Sequence, residues 1–593
     1  MINEASALLP FSLGQRRRMR ARQVVTSLGY ASFLVFCFMS LRNSNLLFHN
    51  PIQRAPISTW PPEKPLEPLQ PVLLSIHPIE QLVRDAEAEF ARIVQGQSRS
   101  LAKATEEYRR RYHLPPPPNF DKWFQFATER NSQLIDEYDT IYQTMLPFWS
   151  LEPKNIRYRV QEALGYEDNK LISLLIRDGA VEQIGGGEEW QRKATIGMVK
   201  NFVQFLPDMD VAFNIHDEPR IVVPHDHLSR MVQIAKDERM PAAFANKAPE
   251  NSFSLREDLT SRIKEAKTSR FNRFSHQGTW TPSTLSCSPD SPARNFQDLY
   301  VDNFTAYAIG ALGFVYNHTA FTDICQSPSF SSTYGFFDRP NAFSISSQLI
   351  PIFSQSKLSS FQDILYPSPW YWYGKVNHEE ERDMEWEQKE SKMYWRGSTT
   401  GGFSRKGGWR RHHRQRFVQK INEQGTAQIL AKQGKEESQS WNATEVRRQD
   451  YKDMIDVKFS HVGQCDPGDC DAQKEFFEIA PTADQQEAWA YKYLLDLDGN
   501  AFSGRFYAFL HSKSLVYKMA IFQEWHRDWL KPWVHYIPLS LRGDEWLETV
   551  RYFAEEEEGK IQAPPMANAG RDWAKKVLRN EDLEVWFFRL LLE

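Results

Sequence analysis

Two short stretches carry residue types suited to a diphosphate. In YKYLLDLDGNAFSGRF (residues 491–506) an alternating apolar run stops at Gly499-Asn500, and Ser503, Gly504 and Arg505 follow where a helix-like run begins. The alternation predicts a strand, Gly499 supplies a backbone for the turn, and a helix start offers free amides that favour an anion. An ordinary strand-to-helix connection with a solvated arginine has the same pattern, so this stretch alone leaves both readings open. The second stretch is KMYWRGSTTGG (residues 392–402), a short strand over residues 393–395 running into Arg396, Gly397 and Ser398. Its hydroxyls, backbone amides and single guanidinium together suit a pyrophosphate, whereas the glycines alone mean only a flexible turn.

A third stretch lies far upstream. The β-prone run at residues 209–215 ends in His216-Asp217-Glu218-Pro219. Pro219 turns its predecessor away from helix, so this is a loop, and a charged residue just past a strand's C-terminal end lies where open α/β sheets bind ligands. Trp370, Tyr371 and Trp372 form an aromatic group able to stack on a sugar face, although most such groups fill cores. Asp208, Asp210, Asp496 and Asp498 make two D-x-D patterns, read here as structural or solvated, and no metal ligand set is assigned. His225 and His227 read as loop polar groups, and His535 as a hydrogen-bonded core histidine.

These groups need a scaffold, and 593 residues exceed what one core usually carries. With 72 Lys and Arg against 76 Asp and Glu, no global basic field argues for nucleic acid. Five arginines between residues 16 and 22 precede an uncharged apolar segment, residues 24–41, that is long enough to span a thin bilayer. Residues 1–23 are then a cytosolic tail, 24–41 a signal anchor, and the remainder lumenal by the positive-inside rule. A cleaved signal peptide is the rival reading. Residues 42–119 read as a stem, Pro-rich over 51–71 and helical over 79–113. Residues 120–385 and 386–593 read as two α/β lobes, divided at the charged run before KMYW. Outside the anchor, Cys287, Cys325, Cys465 and Cys470 are an even set that can form two disulfides, with Cys465 and Cys470 able to close locally; a metal site is the alternative. Asn303, Asn317 and Asn442 begin glycosylation sequons.

Taken in order, LPDMDVAFNIHDEP, DILYP, KMYWRGSTTGG, DVKF, YKYLLDLDGNAFSGRF and LKPWVHYIPL resemble glycosyltransferase family 90, which includes capsule-associated transferases and protein O-glucosyltransferases. The resemblance runs from about Phe120 to the C-terminus. It implies a GT-B fold of two Rossmann-like lobes with an interlobe cleft, and inverting transfer of xylose or glucose from a UDP-sugar to a glycan or protein hydroxyl. It further implies Asp217 as the base, and Arg396, Gly397, Ser398, Arg414, Asp456, Ser503, Gly504 and Arg505 as UDP-sugar contacts, with Arg410, Arg411 and Arg416 competing for the place given to Arg414 and with capping or strand-end pairing equally open for Asp456. Trp370, Tyr371 and Trp372 would face the acceptor. UDP-xylose or UDP-glucose would be donor and a glycan or glycoprotein acceptor, with no prosthetic group; Mn²⁺ dependence is open but has no support in the sequence. The setting would be a Golgi or endoplasmic reticulum membrane, single-pass type II, with the catalytic part lumenal. A catalytically inactive lumenal carbohydrate- or nucleotide-sugar-binding protein is the alternative. Because the chain stops in the apolar run at residues 590–592, where members of that family usually continue, either a partly exposed last helix or a truncated gene model is expected.

Overall fold

The computed structural model describes residues 69, 75–245, 253, 262–295, 302–434 and 440–593. The expected tail, membrane segment and, apart from Leu69, the Pro-rich stem lie outside these residues. Among the described residues no helix is long and apolar enough to cross a membrane.

Two five-stranded sheets organise the chain. The first contains β1 (Leu171–Arg177), β2 (Ala180–Gly185), β3 (Met209–Asn214), β4 (Ile352–Ser354) and β5 (Ile364–Leu365), in the order β2-β1-β3-β4-β5. β1 pairs antiparallel with both β2 and β3, and only β3, β4 and β5 run parallel. The first sheet is therefore mixed, with the parallel arrangement of a Rossmann-like lobe confined to β3, β4 and β5. The cause is local: Asp178 and Gly179 both take positive φ (49° and 72°), the geometry of a two-residue hairpin turn, so the chain folds straight back after β1.

The second sheet contains β6 (Glu390–Ser398), β7 (Ile455–His461), β8 (Tyr491–Leu497), β9 (Leu515–Met519) and β10 (Ile537–Pro538). Its order is β7-β6-β8-β9-β10 and every pairing is parallel. Counted from β6 this is the doubly wound order 2-1-3-4-5, with its switch point between β6 and β8. Parallel strands are buried on both faces, which explains the near-continuous burial of β8 and β9. Tyr394, Leu494 and Val516 meet one core cluster, and Met393, Trp395, Leu495 and Tyr517 meet the other.

The helical segment expected as a stem is instead part of the body. It forms α1 (Pro78–Gln95) and α2 (Leu101–Tyr112), whose Ile79, Leu82, Val83, Ala104, Tyr108 and Tyr112 are buried. The many charges occupy the outer faces, while apolar residues at helical spacing pack inward. α2 is followed by α3 (Phe120–Glu129), and α4 (Glu189–Val199) comes after β2. Farther along, α5 (His413–Asn422) follows β6, α6 (Phe506–His511) follows β8, and α7 (Trp546–Glu555) and α8 (Glu557–Val577) follow β10. His225 opens the helix His225–Ile234, so it and His227 are not loop residues.

The last helix, α9 (Asn580–Leu592), is buried along most of its length, contrary to expectation. It packs on α3 and α4, beside the first sheet, although it ends the chain. Trp123 Nε1 donates to the Val585 carbonyl (3.0 Å), and Phe202 stacks on Phe588 at 4.6 Å. Arg589 lies 4.5 Å from the Trp123 ring and 4.8 Å from Tyr108, and pairs with Glu593 at 2.8 Å. An arginine enclosed by aromatic faces and one carboxylate is tolerable in such a place because both stabilise its charge. Two disulfides, Cys287–Cys325 and Cys465–Cys470, use the four cysteines outside the apolar N-terminal segment.

Candidate functional site

The loops that leave β6 and β8 flank the switch point of the second sheet, where open α/β sheets form a ligand crevice. The first begins at Ser398, whose hydroxyl is 3.1 Å from that of Thr400. Gly401 (φ 106°) passes so close to its neighbours that a Cβ would come within 2.6 Å of the His413 ring. The second loop runs from Asp498 to Arg505, and Asn500 Oδ1 accepts from the Gly401 amide at 3.3 Å, tying the two together.

The three arginines assigned to UDP occupy different environments. Arg414, on the first turn of α5, is buried and spends its guanidinium on the protein: Nε donates to the Asp498 carbonyl (2.7 Å) and Nη2 to that of Leu497 (3.1 Å). Its Nη1 donates to the Ser398 carbonyl (3.1 Å) and the Thr400 hydroxyl (2.8 Å). It therefore clamps the two loops, and this enclosure lowers its pKa to about 10, with Arg505 nearby adding to the fall. Arg396 is tied sideways to β7: Nη2 pairs with Asp456 Oδ1 at 2.7 Å and Nη1 donates to the Asp456 carbonyl at 2.9 Å. Asp456 also accepts from the Tyr491 hydroxyl at 3.1 Å, so it serves strand pairing.

Arg505 differs from both. Its Nη1 donates to the Arg396 carbonyl, and among the described residues its other N–H groups have no hydrogen-bond partner and its charge has no ion pair. Burial lowers its pKa, while the Asp496 charge works the other way. Arg414 and Arg505 lie 5.5 and 5.8 Å from the ring centroid of buried Trp395, so two cations share one indole. The helix after Arg505 is only six residues long, so the guanidinium, rather than a helix dipole, supplies most of the local positive charge.

Trp370, Tyr371 and Trp372 are partly exposed, and the first two spend their polar edges on the second loop. Trp370 Nε1 donates to the Gly504 carbonyl (3.1 Å) and the Tyr371 hydroxyl to the Ser503 carbonyl (2.8 Å), while Tyr371 stacks on Tyr507 at 3.6 Å. Trp372 covers Gly197 of α4. The group joins the first sheet's surroundings to the Ser503–Arg505 loop. Gly504 is required there, since a Cβ would stand 2.5 Å from the Trp370 indole nitrogen. Gly397 likewise lies where a Cβ would enter the Trp395 ring.

Asp217 is placed past the end of β3, as the sequence suggests. Its side chain is open to water, and among the described residues its carboxylate has no hydrogen-bond or ion-pair partner. Protein nonetheless crowds around it, and the resulting loss of bulk solvent raises its pKa to about 6. Adjacent Glu218 is buried and raised to about 8, first by burial and then by the Asp217 charge. His216 is lowered to about 4 by burial.

Sequence reasoning missed what holds this loop. Asp363, from the DILYP stretch, is fully buried and accepts from the Arg220 amide (2.9 Å), the Ile221 amide (2.7 Å) and the Ser354 hydroxyl (2.6 Å). Asn214 Nδ2 donates to the Glu218 carbonyl at 2.7 Å. The available signal was an acid set directly before the apolar pair of β5, Ile364-Leu365. Ser356 Oγ donates to the Asp217 carbonyl (3.3 Å), and the next residue, Lys357, forms an antiparallel bridge with Gln523 after β9. Through that hydrogen-bonded bridge the segment holding the Asp217 loop reaches the chain that follows β9. No direct contact joins Asp217 to Arg505.

The D-x-D acids are structural. Asp210 pairs with Arg177 (2.5 Å) and Asp496 with Lys518 (3.0 Å); Asp208 Oδ1 accepts from the Asp178 amide (2.8 Å) and Asp498 Oδ2 from the Tyr334 hydroxyl (2.7 Å). His535 Nδ1 accepts from the Lys531 amide at 2.8 Å. Among the described residues no group of three or more His, Cys, Asp or Glu is placed to hold a metal ion.

Comparison with known proteins agrees with this arrangement. Residues 336–593 match the family model for glycosyl transferase family 90. The O-glucosyltransferase rumi of Drosophila melanogaster is 26% identical over 271 residues, covering 41% of this chain and 53% of that protein. Its Aedes aegypti homolog is 26% identical over 270 residues, covering 41% and 55%. Protein O-glucosyltransferase 2 of Danio rerio is 30% identical over 101 residues, covering 17% and 20%. The chain thus spans about half the length of the first two relatives. The similarity is thus to glycosyl transferase family 90 and lies in residues 336–593, the C-terminal part of the chain.

Proposed function

We propose that the chain is an inverting glycosyltransferase of GT-B type that moves glucose or xylose from a UDP-sugar to a hydroxyl of a glycan or protein. The observation that carries this reading is Arg505: a cation with unused donors and no ion-paired carboxylate among the described residues, at the switch point of a parallel sheet. The diphosphate would lie against Arg505, the Ser503 and Ser398 hydroxyls and the neighbouring amides. A cavity of about 650 Å³ beside Arg396, walled by Tyr394 and Tyr491, offers room for the nucleoside.

Asp217 would accept the proton of the acceptor hydroxyl as its oxygen attacks the sugar C1. The bond from C1 to the diphosphate oxygen breaks with inversion, and UDP leaves with its charge met by Arg505. With a pKa of about 6 the Asp217 carboxylate is largely ionised at pH 7 yet more basic than an ordinary aspartate. Arg414 acts indirectly, holding both loops in place. Two disulfides fit an oxidising lumen of the secretory pathway, with residues 24–41 as the proposed membrane anchor. The test is a donor screen: the purified full chain, given each UDP-sugar with glycan and glycoprotein acceptors, should release UDP with UDP-glucose or UDP-xylose. No release with any donor would refute the reading.

A further inference from the structure

Residues 463–470 follow β7 and open the helix Pro467–Phe476, and the Cys465–Cys470 disulfide closes them into a small ring. A disulfide restricts the unfolded chain less the shorter the loop it closes, and this one joins residues 5 apart, against 38 for Cys287–Cys325. Its effect is therefore local, and what it shapes is the seat of the loop that leaves β6. At the start of that loop the Thr399 hydroxyl donates to the Gly463 carbonyl and accepts from the Gly463 amide, both at 3.0 Å. Farther on, the Ser404 amide donates to the Gln464 carbonyl (2.8 Å) and the Ser404 carbonyl accepts from the Asp466 amide (2.9 Å), a bridge that runs beside Cys465. Gln415 of α5 ties the helix in from behind, its Nε2 donating to the Thr399 carbonyl and to Gln473 Oε1, both at 3.0 Å.

Asp469, inside the ring, is the hub. Its carboxylate accepts from the Ser404 hydroxyl (2.6 Å) and the Gly407 amide (2.9 Å), and the same hydroxyl accepts from the Trp409 amide (3.0 Å). Lys406 and Gln464, on the two sides of this contact, take φ of 53° and 54°, a backbone that a residue with a Cβ keeps only where its surroundings hold it. Between the buried anchors Thr399 and Ser404 run Thr400, Gly401, Gly402 and Phe403, and the Gly401 amide meets Asn500 of the second loop. The loop's course past the crevice is thus fixed at both ends by residues outside the crevice. We propose that Asp469, set in place by the Cys465–Cys470 ring, is a positioning residue that keeps the β6 loop in the shape that receives a nucleoside diphosphate. This role rests on the crevice being the UDP site.

Calorimetric titration of the full chain with UDP, read beside amide hydrogen exchange, tests this in Asp469→Ala, Asp469→Asn and the double variant Cys465→Ser/Cys470→Ser. Asp469→Ala and the serine pair should each speed exchange over residues 404–409 and weaken UDP about tenfold, while the amides of β8 stay as protected as before. Asp469→Asn keeps an oxygen that accepts one of the two bonds, so it should bind UDP within about threefold of the unaltered chain. Because ring and carboxylate act on one loop, joining Asp469→Ala to the serine pair should weaken UDP by less than the product of the separate effects. Unchanged exchange over residues 404–409, or unchanged UDP affinity in every variant of a chain that binds UDP, would overturn the proposal. So would an affinity that falls only in step with the melting temperature. An unaltered chain that binds no UDP would refute the transfer reading itself, and this role with it.

Discussion

Replacing Arg414 by alanine separates a loop clamp from a substrate ligand. The side chain makes four hydrogen bonds to the ends of β6 and β8, each with a charged donor. Such bonds contribute about 1.5–3 kcal/mol each, and they do not add fully. Against them stands the cost of enclosing the charge: a pKa held at about 10 rather than 12.5 corresponds to about 3 kcal/mol. Four bonds at the low end give about 6 kcal/mol if fully additive, leaving a net loss of up to about 3 kcal/mol, a large share of the 5–15 kcal/mol that typical domains possess. Urea denaturation followed by tryptophan fluorescence should therefore show a clearly lowered midpoint, and UDP affinity should fall in proportion to the folded fraction. An Arg414→Ala protein with an unchanged midpoint and lost UDP binding would refute the clamp and make Arg414 a direct ligand.

Arg505→Ala, which breaks one hydrogen bond, should leave the melting temperature nearly unchanged while lowering kcat about 100-fold or more, the usual cost of losing a group that meets developing charge; parallel losses of folding and rate would argue against this role. The kcat/KM profile should fall on the acid side with an apparent pKa near 6, because Asp217 becomes protonated below that value and can no longer accept a proton. A flat profile from pH 5 to 7.5 would exclude it as the titrating base. Gly504→Ala forces a Cβ against the Trp370 indole, so it should raise the donor KM by displacing the Ser503–Arg505 loop while the core stays folded. Unaltered donor kinetics would show that the loop tolerates the crowding.

The second sheet was legible because its signals are local. Alternation at residues 491–497, the RGSTTGG turn and the short DVKF run each mark a strand end, and the observed strands β6, β7 and β8 extend those segments by a few residues. β3 appears within one residue of its expected span. What escaped depends on distant partners. Arg414 was one of several arginines near the start of a helix, and only the carbonyls of residues 497 and 498, more than eighty positions away, identify it as a clamp. The charged faces of α1 and α2 suggested a free stem because the partners of Tyr108 and Tyr112 come from residues 120–142 and from Arg589 and Glu593 at the chain's end. The β1–β2 hairpin did carry a local sign, the Asp178-Gly179 pair between apolar runs, and it accounts for the mixed first sheet. Trp370 to Trp372 read as a sugar platform because aromatic composition cannot reveal that the polar edges of Trp370 and Tyr371 bond the Gly504 and Ser503 carbonyls.

The central claim is that Asp217 is the base of a UDP-sugar transfer whose leaving group is met across the molecule by Arg505. It is tested most directly by measuring UDP binding and sugar transfer in Asp217→Asn beside the unaltered chain, with the donor identified in the screen. The account predicts UDP affinity within about twofold of the unaltered protein and transfer reduced by a factor of about 100 or more, the upper part of the range for loss of a general base. Transfer at the unaltered rate in Asp217→Asn would contradict it.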